Sequence, residues 1–178
     1  MSEGGAGGDE PADAAAPEPA VTVVAADVRD PGAEPPVDVG RWATLAVASA
    51  ESEGGAGELT LTFVPADEIA ELNREHLGGD GPTDVLSFPL DDEPTPGVPT
   101  LLGDVVVCPE VAAAQFADHA GTLDDELALL VVHGVLHVLG HDHADDDEAA
   151  RMRERELALL VEHHWHGPAP AGFRQTHD

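Results

Sequence analysis

The eleven residues His133-Gly134-Val135-Leu136-His137-Val138-Leu139-Gly140-His141-Asp142-His143 constrain this chain more than any other stretch. The first two histidines stand four apart in an otherwise apolar run from Leu127 to Leu139. Four residues advance an α-helix by about 400°, so His133 and His137 project from one face, a turn apart. A helix that is apolar all round is a buried one, and a buried imidazole without a partner costs about 1–3 kcal/mol. Gly140 can take a left-handed conformation, end the helix and turn the chain back, which brings His143 toward the same point. Three imidazoles with an open fourth position are the donor set of a catalytic zinc site. The residues read as a metal-dependent hydrolase, with His133, His137 and His143 holding one Zn2+ per chain.

At 178 residues the chain is long enough for one domain with a sizeable core plus tails. The single cysteine, Cys108, excludes an intramolecular disulfide framework and a cysteine-rich structural zinc site. No apolar run reaches membrane-spanning length and the N-terminus does not look like a secretory signal, so a soluble, cytoplasmic protein is expected. The charge is lopsided: acidic residues number 36 against 7 arginines and no lysine, a formal net charge of −29. Such a surface repels nucleic acid at long range, although an adaptation of the whole proteome, for instance to salt, would produce it too.

Taken in order, residues 1–19 are almost entirely Gly, Ala, Pro, Asp and Glu and are expected to be a disordered acidic tail. Val21–Val24 reads as a first strand, and Asp38 can cap a helix through Trp42 and Leu45 to about Ser52. Glu58–Val64 alternates as a second strand, and 67–77 reads as a helix. Thr83–Pro89 is a strand that its proline assigns to an edge. An acidic loop over 91–99 precedes the buried strand 101–108, and Pro109 starts a helix to about His119. Thr122-Leu123-Asp124-Asp125 resembles a capping box ahead of the histidine helix. A last helix spans about 145–163, and the tail from 167 frays unless Phe173 docks. The fold class expected is α/β (α+β): a small mixed sheet with helices packed around a central buried metal-binding helix, zincin-like. One hydrolase domain would span 20–166, with 167–178 a flexible tail.

A zincin peptidase places a glutamate directly after the first histidine as general base. Here that residue is Gly134, although the spacing of the three histidines and of Gly140 matches the metzincin pattern. Glycine inside a helix costs about 1 kcal/mol relative to alanine, so a small residue at this point serves something: room beside the metal for a strand or a substrate.

These residues resemble the YbeY-type endoribonucleases, the bacterial rRNA maturation factors. The likeness is carried by His133-Gly134-x-Leu136-His137-x-Leu139-Gly140-x-Asp142-His143, by Leu72-Asn73 followed by Gly81–Pro89, and by Leu102-Gly103-Asp104-Val105. It implies a single-strand-specific, metal-dependent endoribonuclease acting in 16S rRNA 3′-end maturation and ribosome quality control. Its partners would be the single-stranded 16S rRNA precursor and ribosomal particles, with no membrane and no DNA. Zinc would lie on His133, His137 and His143, with His141 standing where the family usually has tyrosine. The family's arginine, in a Tyr-Arg-Gly context after Leu-Asn, falls at Leu77 here, with His76 before it. Arg74 on the same helix is a candidate substitute or an ordinary solvated arginine. Asp142 and His141 are further candidates for the chemistry, as a residue orienting a histidine and as a proton shuttle. Arg151, Arg153 and Arg155 read either as a phosphate-facing patch or as members of helical salt bridges. Two other readings stay open: a metal-dependent peptidase, and a ribosome assembly factor whose metal is mainly structural.

Overall fold

The computed structural model describes residues 20–90 and 93–175, so the acidic tail expected over 1–19 lies outside the described residues. The elements run β1 (Val21–Asp27), α1 (Val39–Ser52), β2 (Gly57–Phe63), α2 (Ala66–Leu77), β3 (Val85–Pro89), β4 (Leu101–Val107), α3 (Pro109–Gln115), α4 (Leu123–Val138) and α5 (Asp146–Leu160). A π-helical turn, Val161–Trp165, follows.

The strands form one mixed sheet in the order β1-β2-β4-β3. β1, β2 and β4 are parallel, and β3 runs antiparallel to β4 at the edge, where its proline needs no inner partner. Alternation in β2 sends Leu59, Leu61 and Phe63 to one face, where they join Val105 and Val107 of β4. That face packs against α1, α4 and α5 through Trp42, Leu129, Leu136 and Leu160. The opposite face carries a smaller cluster in which Ile69 of α2 meets Leu86, Val106 and Cys108.

α4 is the axis of the larger core: every residue from Leu127 to Leu136 is buried, His133 included. The Thr122 hydroxyl caps the helix by accepting from the amide of Asp125 at 3.1 Å. Gly134 of α4 lies so close to β4 that a Cβ would meet Cγ1 of Val105 at 2.5 Å. The room that glycine makes is therefore taken by a strand. Asp38 caps α1 as expected, accepting from the amide of Arg41 at 3.1 Å.

Two helix ends differ from expectation. α3 stops at Gln115 instead of continuing to about His119. The cause is the buried carboxylate of Glu126, which takes hydrogen bonds from Gln115 Nε2 at 2.9 Å and from the amide of Ala120 at 3.1 Å. His119 Nδ1 lies 3.3 Å from the same carboxylate. Gathering these groups requires the segment after Gln115 to leave the helix. The last helix gives way after Leu160 to the π-helical turn, which brings His164 Nε2 and Trp165 Nε1 each to 2.8 Å from Asp125 Oδ1. Phe173 docks edge-on against Trp165, with ring centroids 4.8 Å apart.

Candidate metal centre

His133 and His137 project from α4 as their spacing requires. The helix ends at Val138, and Gly140 has φ of +99°, the left-handed region in which a side chain is strained. The amide of His141 then donates back to the carbonyl of Leu136 at 3.0 Å. This reversal delivers His143, and the three rings offer nitrogen atoms that all lie within 4.8 Å of one another. A single small cation can reach all three.

The three residues differ in surroundings. His133 is buried, His137 half-buried and His143 exposed, so the cluster opens outward on one side. Burial, followed by the repulsion of His133 and His143, pushes the His137 imidazole down to about 4. It is neutral at physiological pH, which is the form that ligates metal. His133 Nδ1 lies 2.6 Å from Oε1 of Glu156, a residue of α5 that is itself fully buried. A carboxylate accepts there, so Nδ1 carries the hydrogen and Nε2 is left to coordinate. The second oxygen of Glu156 accepts from Gln175 Nε2 at 3.0 Å. The donor set fits zinc: three imidazole nitrogens, one of them oriented by a carboxylate, and an open side for a fourth group.

A groove of about 340 Å³ leads to the cluster, bounded by Asn73 and Leu77 of α2, by Thr83 and Asp84, and by Ser87 of β3. On the other side of His133 and His143 lies a cavity of about 180 Å³, walled by Met152, Arg153 and Glu156 of α5 and by Gln175. The histidines stand between the two spaces and line both.

The other candidates fall in different places. His141 is turned to Glu53, with Nε2 3.2 Å from Oε2, and Arg155 donates to the same carboxylate at 2.7 Å. Asp142 accepts from the amide of His143 at 2.7 Å and so stabilises the turn that delivers the third imidazole. Arg74 is exposed and lies 3.8 Å from Glu71 and 4.0 Å from Glu75, and it does not line the groove. Leu77 does line it, two-thirds exposed, at the position matching the family's arginine. The one carboxylate among the groove-lining residues, Asp84, is already engaged by the amide of Val85 at 2.8 Å and by Gln115 Nε2 at 2.7 Å.

Sequence reasoning overlooked Glu156 and Gln175. Glu156 comes thirteen residues after His143 on a helix rich in acids, and nothing local marks it. Its one signal is position: together with Met152, Leu159 and Leu160 it lies on the buried face of α5, where an unpartnered carboxylate is costly.

Comparison with known proteins agrees with this geometry. The family model described as Endoribonuclease YbeY matches residues 38–164. The chain is 47% identical over 138 residues to Endoribonuclease YbeY of Salinispora tropica, an alignment covering 70% of this chain and 88% of that protein. It is 46% identical over 126 residues to Endoribonuclease YbeY of Paramagnetospirillum magneticum, covering 68% and 77%. A solution structure of a Thermotoga maritima protein superposes with a TM-score of 0.53 at 27% identity, covering 80% of this chain and 87% of that one. A chain that matches the family's model over most of its length and carries these three histidines in one cluster belongs to the YbeY endoribonuclease family.

Proposed function

We propose that this chain is a zinc-dependent endoribonuclease that cleaves single-stranded RNA, with the 3′ end of the 16S rRNA precursor, on ribosomal particles in the cytoplasm, as its substrate. The observation that carries the reading is the convergence of His133, His137 and His143 at the end of an open groove. Residues 20–166 are assigned to the hydrolase domain, within which the family match falls.

His133, His137 and His143 would hold the metal, and bound zinc supplies Lewis acidity toward a phosphoryl oxygen and a nucleophile at neutral pH. The protein's own contribution is placement. Glu156 fixes the ring of His133, Asp142 holds the turn that carries His143, and the burial of α4 keeps His137 neutral. Ser87 lines the groove with a hydroxyl that can donate to phosphate or sugar oxygens, while the Thr83 hydroxyl beside it donates to Asp84 Oδ1 at 3.4 Å. An open groove beside an edge strand suits a single strand whose bases are not committed to pairing.

The peptidase reading loses ground at Gly134. The general base of a zincin belongs at that position, and Val105 of β4 occupies the space it would need. The assembly-factor reading has one observation in its favour: no arginine or lysine lines the groove. Cleavage of labelled single-stranded RNA by the zinc-loaded protein, with folded His137→Ala alongside, separates the two. Cleavage is expected to be at least about a hundredfold lower in the variant, since it loses one of three ligands to a metal whose charge stabilisation is worth several kcal/mol. Equal cleavage by both proteins would assign the activity to a contaminant. Absence of cleavage in both would give the lead to assembly.

A further inference from the structure

Seven arginines are all the cationic side chains of fixed charge that this chain of net charge −29 possesses. Four of them are spent on carboxylates: Arg29 on Asp27, Arg41 on Asp124, Arg74 on Glu71 and Glu75, and Arg155 on Glu53. Arg151 donates to the carbonyl of Asp147 in its own helix. Arg174 is exposed and is not among the residues lining either space beside the histidines. Arg153 is different. It lines the cavity on the α5 side of the histidine cluster, and among the described residues no carboxylate pairs with its guanidinium. The one carboxylate among the residues lining that cavity, Glu156, already has hydrogen bonds to His133 and Gln175.

A nucleic-acid strand brings a negative charge with each nucleotide, and the groove on the β3 side offers it hydroxyls and imidazoles but no fixed positive charge. A phosphodiester seated at the three histidines has neighbours on both sides, one over the groove and one over the α5 cavity, because His133 and His143 line both. A guanidinium is a planar fork that grips phosphate oxygens bidentately. We propose that Arg153 is a phosphate anchor for single-stranded RNA, holding the phosphate next to the reacting one on the α5 side. The assignment rests on the endoribonuclease reading for its ligand. It supplies the cation that the groove lacks.

The test is a fluorescence-anisotropy titration of a labelled single-stranded RNA dodecamer with the zinc-loaded protein, at several salt concentrations, with cleavage of the same RNA followed in parallel. Arg153→Ala is expected to weaken binding about tenfold, the scale of one charge-assisted hydrogen-bonded contact, equally for different RNA sequences. It should also shift the slope of log K against log salt by about 0.7, the release of one counterion site from a single strand. Arg153→Lys, which keeps the charge but loses the bidentate fork, should recover only part of the affinity, and Arg151→Ala should stay within about twofold of the wild type, since Arg151 does not line the cavity and is held to the Asp147 carbonyl. Unchanged binding in Arg153→Ala overturns the assignment, as does an equal loss in Arg151→Ala or a wild type that does not bind. Arg153 is exposed, so the variant is not expected to unfold, and its thermal midpoint checks this. RNA that binds through Arg153 but stays intact removes the nuclease reading and leaves the anchor; RNA cleaved with Arg153 immaterial does the reverse.

Discussion

Glu156 holds the deepest of the three histidines in a single orientation, and its own second oxygen is held in turn by Gln175. Carboxylates that orient a ligating imidazole typically contribute about 10–100-fold to metal affinity. Glu156→Gln keeps the shape but removes the charge that fixes the tautomer of His133. It is expected to weaken zinc binding by that factor, read by competition with a chromophoric chelator, while circular dichroism shows an unchanged fold. Unchanged zinc affinity would reduce Glu156 to a packing role. At this scale the sequence was legible where spacing is local: His133 and His137 face the same way because of helical geometry, and His143 joins them because a glycine permits one turn. Glu156 was not legible, because which acid of α5 points inward depends on how that helix rotates against α4.

Among elements, the contact between α4 and β4 matters most, since it fixes how far the histidines stand from the sheet. Gly134→Ala would add a methyl group 2.5 Å from Cγ1 of Val105, a buried β-branched side chain with little freedom to move. Overpacking of this kind costs about 1–3 kcal/mol, against a gain of about 1 kcal/mol in helix propensity. A net loss of up to about 2 kcal/mol is expected in urea denaturation. Combining it with Val105→Ala should cost less than the two single changes added together, because the second substitution vacates the space the first one fills. Simple additivity would show that the two residues do not press on each other. The glycine itself was readable as purposeful from the sequence, while the choice between strand and substrate as its neighbour needed the sheet. The helix ends after Gln115 and Leu160 escaped sequence reasoning for a similar reason. Both are set by carboxylates of α4, Glu126 and Asp125, reaching across to other segments.

On the scale of the whole molecule, the mixed sheet and buried central helix follow from the alternation in β2, the proline in β3 and the apolar run of α4 from Leu127 onward, all visible in the chain. The order β1-β2-β4-β3 was not, since it depends on which strands pair. The net charge of −29 acts at this scale too. It opposes the approach of RNA over a distance set by the Debye length, which shrinks from about 30 Å at 0.01 M salt to about 8 Å at 0.15 M. The association rate constant for single-stranded RNA is therefore expected to rise between these salt concentrations, measured by stopped-flow anisotropy, even as each phosphate contact weakens. A rate that falls would mean that a local positive field at the site outweighs the global one. The bond from Gln175 to Glu156 has a practical side, because it ties the segment near the end of the described residues to the group that steadies His133. Removing Gln175 is therefore expected to lower metal occupancy through Glu156 and His133, and a handle at the other end leaves this bond untouched.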